Sequence, residues 1–306
     1  MTFFEAVLLT IITASTPLVI AAIGELVTER SGVLNLGVEG MVIIGSVSAF
    51  VAAQMSGSAY VGLLAGVGGG AIFSLLFSFL TLTLVANQVA TGLALTIIGL
   101  GASGMIGEAY VGVPGVRLLP LEIPVLSDIP YIGNILFKQD IIFYLSIVLV
   151  VAVNWYLFHT RSGLKMRAIG DSHSSAHALG INVIRTRYLA IMFGGACAGL
   201  AGAQLSLIYT PQWTENMSGG RGWIALALVV FASWRPWRIL AGGYLFGAVT
   251  ILQLHAQAFG IGIPAQFLSM LPYAATVVVL IIISHNRRAT LVNTPASLGK
   301  TFVPDR

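Results

Sequence analysis

Long apolar stretches separated by short polar punctuation make up this chain, and their lengths predict its elements. A helix needs about 20 mostly apolar residues to cross roughly 30 Å of hydrocarbon, with every backbone N–H and C=O bonded inside its own helix. Runs that meet this requirement cover residues 3–24, 33–54, 59–86, 89–107, 140–158, 188–209, 238–259 and 264–284, with a shorter run at 222–233. The pattern predicts an all-α, polytopic membrane bundle of about eight to ten transmembrane helices, some short or broken. Residues 1–284 read as the transmembrane domain, with a basic loop at 159–187 inside it, and 285–306 as a tail.

Composition agrees, since 57% of the 306 residues are hydrophobic, 8% are charged and the mean hydropathy is +0.93. Soluble domains carry about 25% charged residues, so a soluble body is excluded. A signal peptide is the competing reading of the N-terminus, but Glu5, the lack of a basic first region and the lack of a small-residue cleavage site favour a retained first span. Cys197 is the only cysteine, which rules out an intrachain disulfide or a cysteine metal cluster. The net charge of +4 and pI of 9.4 need no nucleic acid partner, because the basic residues are grouped by loop.

Arg161, Lys165, Arg167, Arg185 and Arg187 face one acid, Asp171, between His159 and Tyr188, which makes this loop cytoplasmic by the positive-inside rule. Between Glu108 and Asp140 the balance is reversed, with Glu122 and Asp128 added against Arg117 and Lys138, and four prolines at 114, 120, 124 and 130. That loop reads as external. Counting from these anchors puts the N-terminus outside and the C-terminus inside, with Glu29, Arg30, Arg235, Arg238, Arg287 and Arg288 on the inner side.

Gly62, Gly66 and Gly70 recur at a spacing of four, as do Gly195 and Gly199, so each set lines one helix face where backbones approach closely. A span, a Gly-rich polar segment SGVLNLGVEG (31–40) and small apolar residues resemble in outline the later span 188–209, TENMSGGRG and WIALALVVFA. The two polar segments fall on opposite sides, which is the signature of an inverted repeat with broken helices; chance likeness of Gly-rich segments is the alternative.

Within the first polar segment, Asn35 and Glu39 lie four apart and share a face if the segment is helical. An ionised Glu in hydrocarbon costs at least about 2.5 kcal/mol, so Glu39 must be paired, protonated or facing water. An Asn–Glu bond that fixes helix register, a pathway lining that touches cargo, and an acid near the inner interface all meet that demand. Gln253, His255 and Gln257 alternate and cannot share one helical face, which argues against a metal site. Gly299-Lys300-Thr301 is a fragment of a phosphate loop, but Thr294 stands where the first glycine is required. No nucleophile–base pair or metal spacing points to an enzyme, and no cofactor is expected in this chain.

The runs ERSGVLNLGVEGMVIIGSVSAF, ANQVATGLAL, TRSGLKMRAIGD with ALGINVIRTRYLA, and GGRGWIALALVVFASWRPW resemble the permeases of branched-chain amino acid and ribose type ABC importers across nearly the whole chain. ANQVATGLAL, ENMSGGRGWIALA, LPYAATVVVL and PASLGK are most similar to the smaller of two permease subunits in bacterial nucleoside importers. The resemblance implies a multi-pass protein of the bacterial cytoplasmic (inner) membrane. It also implies an ATP-binding subunit that uses ATP and Mg, a second, homologous permease subunit forming a heterodimer with this chain, and an extracytoplasmic substrate-binding lipoprotein or periplasmic protein. Ribose, another sugar, a nucleobase and branched-chain amino acids are the alternative cargoes.

Physically, Asp171 or Ser172 is placed to cap a short helix through SHSSAHAL, Gly180 to stop it and Asn182 to start the next. By resemblance this is the coupling helix seated in a groove of the ATPase, with Asp171, Ser175, Ala176, Leu179 and Gly180 as its coupling residues. Asp171 and Ser172-His173 depart from the family's usual Glu and Asn-Pro, which affects the individual contacts. A nucleoside pathway needs aromatic faces and polar edges. The candidates are Asn35, Glu39, Asn87, Gln88, Thr91, Trp213, Asn216 and Trp223, while Trp234 and Trp237 read as interfacial anchors. The reading from a different class is a stand-alone ion-coupled carrier built on Glu25, Glu39 and His255.

Overall fold

A computed structural model describes residues 3–121, 132–258 and 293–303, with scattered positions at 124 and 127 and between 264 and 281. In chain order the helices are α1 (Phe3–Arg30), α2 (Val38–Ser56), α3 (Ala59–Ser78), α4 (Gln88–Gly107), α5 (Ile132–Leu136) and α6 (Ile141–His159). They continue with α7 (Arg161–Asp171), α8 (His173–Ala178), α9 (Val183–Gln204), α10 (Arg221–Phe231) and α11 (Pro236–Ala258). Wider π-helical turns prolong α3 over Phe79–Thr83 and α9 over Leu205–Tyr209. Among the described residues seven helices are long and apolar enough to cross a membrane. The expected run at 264–284 lies largely outside the described residues, as do Glu122, Asp128, Pro130, Arg287 and Arg288.

Three boundaries differ from the hydropathy reading, one of them the start of α9 at Val183 rather than 188, where Asn182 caps the helix. α1 continues through Glu25, Glu29 and Arg30, which stay helical because each is buried and bonded by other parts of the chain. α2 begins at Val38 rather than 33, because Gly32 turns the chain at φ +86° and residues 33–35 run without helical bonding. Hydropathy alone does not resolve an apolar residue in such a turn from one in a helix.

α1, α2 and α9 form the centre, with 67, 67 and 78% of their apolar windows covered by protein against 28% for α3, α4 and α11. Gly66 and Gly70 face the Gly195 and Gly199 series of α9, whereas Gly62 packs on Ala49 and Ala53 of α2. A Cβ on Gly70 would lie 2.7 Å from Gly199 Cα, and one on Gly66 would lie 2.9 Å from Ala203 Cβ. Gly40 and Gly99 form a second seam between α2 and α4, where a Cβ on Gly99 would lie 2.7 Å from Gly40 Cα. Lipid tails are as apolar as leucine, so helix association in a bilayer relies on this close backbone packing. Cys197 is buried in α9, where a Cβ on Gly24 of α1 would approach its own Cβ to 2.5 Å.

α1 and α9 run antiparallel, with Thr28 donating to the Ala190 carbonyl at 3.3 Å and Gln204 to that of Thr13 at 3.0 Å. The Arg30 end of α1 therefore sits with α7, α8 and the start of α9, and Trp234 joins it through its carbonyl. At the other end Gly115 and Leu118 donate to the carbonyls of Pro211 and Leu207, and Gln54 donates to that of Pro114. The fold thus separates the basic segments from the proline-rich loop. α10 has 11 residues. At 1.5 Å per residue that is about 16 Å, roughly half a crossing.

Candidate functional site

The polar segment after α1 is largely buried among the helices, where an unpaired backbone group is costly, and side chains from neighbouring helices meet it. Gln88 at the start of α4 accepts the Leu34 N–H at 2.9 Å, Glu25 of α1 accepts that of Asn35 at 3.3 Å, and Thr96 of α4 donates to the Leu36 carbonyl at 3.1 Å. Asn35 folds back on its own segment, its Oδ1 accepting the Gly37 N–H at 3.0 Å and its Nδ2 lying 3.4 Å from Met41 Sδ. Asn35 is thus outside α2, and the expected helical face shared with Glu39, and the bond between them, are not formed.

Glu39 instead reaches the second polar segment. In the first turn of α2 and 3% exposed, it accepts the Gly220 N–H at 2.8 Å through Oε1 and the Gly222 N–H at 2.6 Å through Oε2. These N–H groups open α10 and have no partner within that helix. Glu39 therefore caps α10 from another helix. Gly220 adopts φ +81°, a left-handed conformation that a side chain would strain, and a Cβ on Gly222 would lie 2.5 Å from Glu39 Cα. The two segments set in correspondence by the sequence thus touch at one carboxylate.

Beyond α10, Trp234 donates its indole N–H to Glu29 Oε2 at 2.5 Å, and its carbonyl accepts from Arg30 at 2.9 Å. Only 3% exposed, Trp234 is a buried link rather than the interfacial anchor expected from its position, whereas Trp237 is 51% exposed. Of the other candidates, Gln88 joins Asn35 and Glu39. Asn87 is exposed and caps α4 by accepting the Ala90 N–H at 3.0 Å, and Thr91 is half-buried beside it. Trp213 packs among Ile43, Val47 and Phe50 with its indole on Gly107. Asn216 is exposed in the 210–220 loop, and Trp223 sits on α10 at 37% exposure. Sequence reasoning missed Glu29, Trp234, Gly220 and Gly222 as parts of the junction and used Glu25 only for the carrier reading. The available signal was charge persisting at the end of an apolar run.

At the basic end, Thr160 caps α7 and Ser172, not Asp171, caps α8 by accepting the Ser175 N–H at 3.3 Å. Asp171 closes α7. α8 stops where the Gly180 N–H bonds the His177 carbonyl and the Ile181 N–H bonds that of Ala176, with Gly180 at φ +78°. Asn182 then caps α9 by accepting the Arg185 N–H at 2.9 Å. Leu179 projects outward at 81% exposure, and Ser175 and Gly180 are exposed beside it. Ala176 faces inward against Ile169 and Val183, so its side chain is not an outer contact in this conformation. A cleft of about 340 Å³ lies beside the hairpin, lined by His177, Gly180, Ile181, Asn182, Val183, Ile184 and Phe302. Partial burial, then the charges of Arg187 and Lys300, hold the His173 pKa below its ordinary value of 6.5. Among the described residues no three His, Cys, Asp or Glu side chains are grouped to hold a metal ion.

These features define a multi-pass helical membrane protein with two linked polar segments, each leading into a helix, and an exposed helical hairpin at its basic end. Over residues 7–283 the chain matches the family described as the permease component of the branched-chain amino acid transport system, and it belongs to that family. It is 35% identical to a Haloferax volcanii protein provisionally named a glucose ABC transporter permease, over 99% of this chain and 98% of that one. It is 32% identical to the guanosine ABC transporter permease of Bacillus subtilis, over 86% of this chain and 87% of the relative. It is 33% identical to the nucleoside ABC transporter permease of Lactococcus lactis, over 87% and 88%. No solved structure matches the chain. The protein is therefore a membrane component of an ABC transporter, a type of system that also contains an ATP-binding subunit and a substrate-binding protein.

Proposed function

We propose that this chain is the permease subunit of an ABC importer that carries nucleosides through the cytoplasmic membrane, powered by ATP hydrolysis in its partner. The observation that supports this mechanism is the α8 hairpin. Ser172 starts it, Gly180 stops it, and it presents Leu179 to water at the end where the basic residues gather. A stand-alone carrier does not require such an element. The positive-inside rule puts this end, with residues 293–303, in the cytoplasm and the N-terminus outside.

Cargo passes along the face of the two polar segments, with Asn35, Glu39 and Gln88 as the framework and Asn87, Thr91, Asn216 and Trp223 as groups still exposed to a solute. A second, homologous permease supplies the opposite wall, and an external binding protein delivers the nucleoside. The nucleoside assignment is supported by the guanosine and nucleoside permeases among the relatives. A hexose is the second reading, favoured by the Haloferax relative with its fuller coverage.

Uptake into vesicles that hold this chain with its cognate ATPase, second permease and binding protein tests both parts. ATP-dependent accumulation of labelled guanosine, displaced by other nucleosides and not by glucose, is the expected result. Displacement by glucose alone would select the hexose reading, and uptake driven by an ion gradient through this chain alone would overturn the importer.

A further inference from the structure

The segment 293–303 ties together parts of the molecule that are far apart in sequence. Its Ser297 N–H donates to the Gly170 carbonyl at 2.8 Å and its Gly299 N–H to that of Gly32 at 3.2 Å, joining the end of α7 to the turn after α1. Arg187 of α9, 0% exposed, donates through Nε to the Ser31 carbonyl at 3.0 Å and through one terminal nitrogen to that of Lys300 at 3.4 Å. Arg30 donates to the Asn293 carbonyl at 3.0 Å and to that of Trp234 at 2.9 Å. The ring of Phe302 stands edge-on between the two histidines of α8, its centroid 5.2 Å from that of His173 and 5.3 Å from that of His177, and packs on the Ile169–Ala176–Val183 cluster.

A short helix exposed to water is held in place by what packs beneath it, and coupling between sites travels through such packed and bonded groups. We infer that residues 293–303 are a positioning element for energy transmission: Phe302 seats α8, and Gly299 and Arg187 fasten the same segment to the turn between α1 and α2. A displacement of α8 then moves the turn that leads to Glu39, and through Glu39 the start of α10. A segment that merely filled space would need neither the paired histidine contact nor backbone bonds to both the end of α7 and the turn after α1. This inference rests on the reading above that α8 receives the ATPase.

The experiment uses the complete transporter in vesicles and reads three quantities: ATPase association, ATP hydrolysis, and solute imported per ATP consumed. With Phe302→Ala, association and hydrolysis persist while import per ATP falls about tenfold, and Phe302→Leu restores it to within about twofold. Gly299→Val strains the positive φ at the other attachment with Phe302 intact, and is expected to give the same uncoupling. It serves as the readout if Phe302→Ala does not accumulate. Import per ATP unchanged in these variants, with association intact, would overturn the inference alone. If Leu179→Asp leaves ATPase association unaffected, the docking reading itself fails.

Discussion

The carboxylate of Glu39, in the first turn of α2, accepts the backbone N–H of Gly222 at 2.6 Å, although 183 residues separate the two. With the companion bond to Gly220, it joins the polar segments that follow α1 and α9. Both segments are irregular backbone, and one side chain satisfies the start of α10.

Glu39→Gln replaces an acceptor oxygen with an amide NH₂ that faces a backbone donor. The expected loss is about 1–3 kcal/mol of stability, the cost of leaving a buried polar group unsatisfied. Thermal unfolding in detergent measures this, and uptake is expected to fall with it. Unchanged unfolding and uptake would remove Glu39 from the junction.

Gly199→Leu puts a side chain where the Gly66 carbonyl oxygen already lies. Overpacking costs about 1–3 kcal/mol even where neighbours move, and backbone on the facing helix has little room to do so. The variant is expected to be absent from the folded membrane fraction. Gly101→Leu, with nothing within 4 Å of the added Cβ, is expected to accumulate normally.

Gly180→Val forces a β-branched residue to a φ of +78°, at a cost of about 1–2 kcal/mol. Because the added carbon meets no neighbour within 4 Å, the strain is local to the end of α8. Insertion into the membrane is expected to be normal, with weakened ATPase association in pull-down and reduced uptake.

His173 has a depressed folded pKa, so the folded protein binds fewer protons here than the unfolded chain. The stability this residue supports is present above its ordinary value of 6.5 and declines as pH falls below it, through the folded value. Unfolding curves between about pH 7.5 and 5 are expected to show a steeper loss for the native chain than for His173→Asn, whose side chain takes up no proton. Parallel curves would rule out the contribution.

Trp234→Phe keeps one aromatic ring but removes the pyrrole ring with its donor to Glu29, leaving a buried acid short of a partner. The loss is expected to be about 1–3 kcal/mol, read by thermal unfolding.

Periodicity and length make the helices legible, because an apolar run that must cross lipid has few alternatives to a helix. The capping residues of the hairpin are equally legible, since Ser172, Gly180 and Asn182 act on backbone groups only a few residues away. The glycine series can be found from spacing, but not which series face each other. Least legible are the long-range bonds of Glu39, Arg30 and Arg187, whose partners are backbone atoms. A backbone N–H or carbonyl has no residue type to mark it. That is also why Asn35 and Glu39 look like partners in sequence, while each bonds elsewhere.

The seal between Gly24 and Cys197 has a practical side. Since Cys197 is the sole cysteine and its thiol is walled in by protein, water-borne maleimides have no native target on the folded chain. Single cysteines introduced at Asn216 or Ser174 can therefore report which aqueous compartment each loop occupies, with the native residue left in place to preserve the α1–α9 contact.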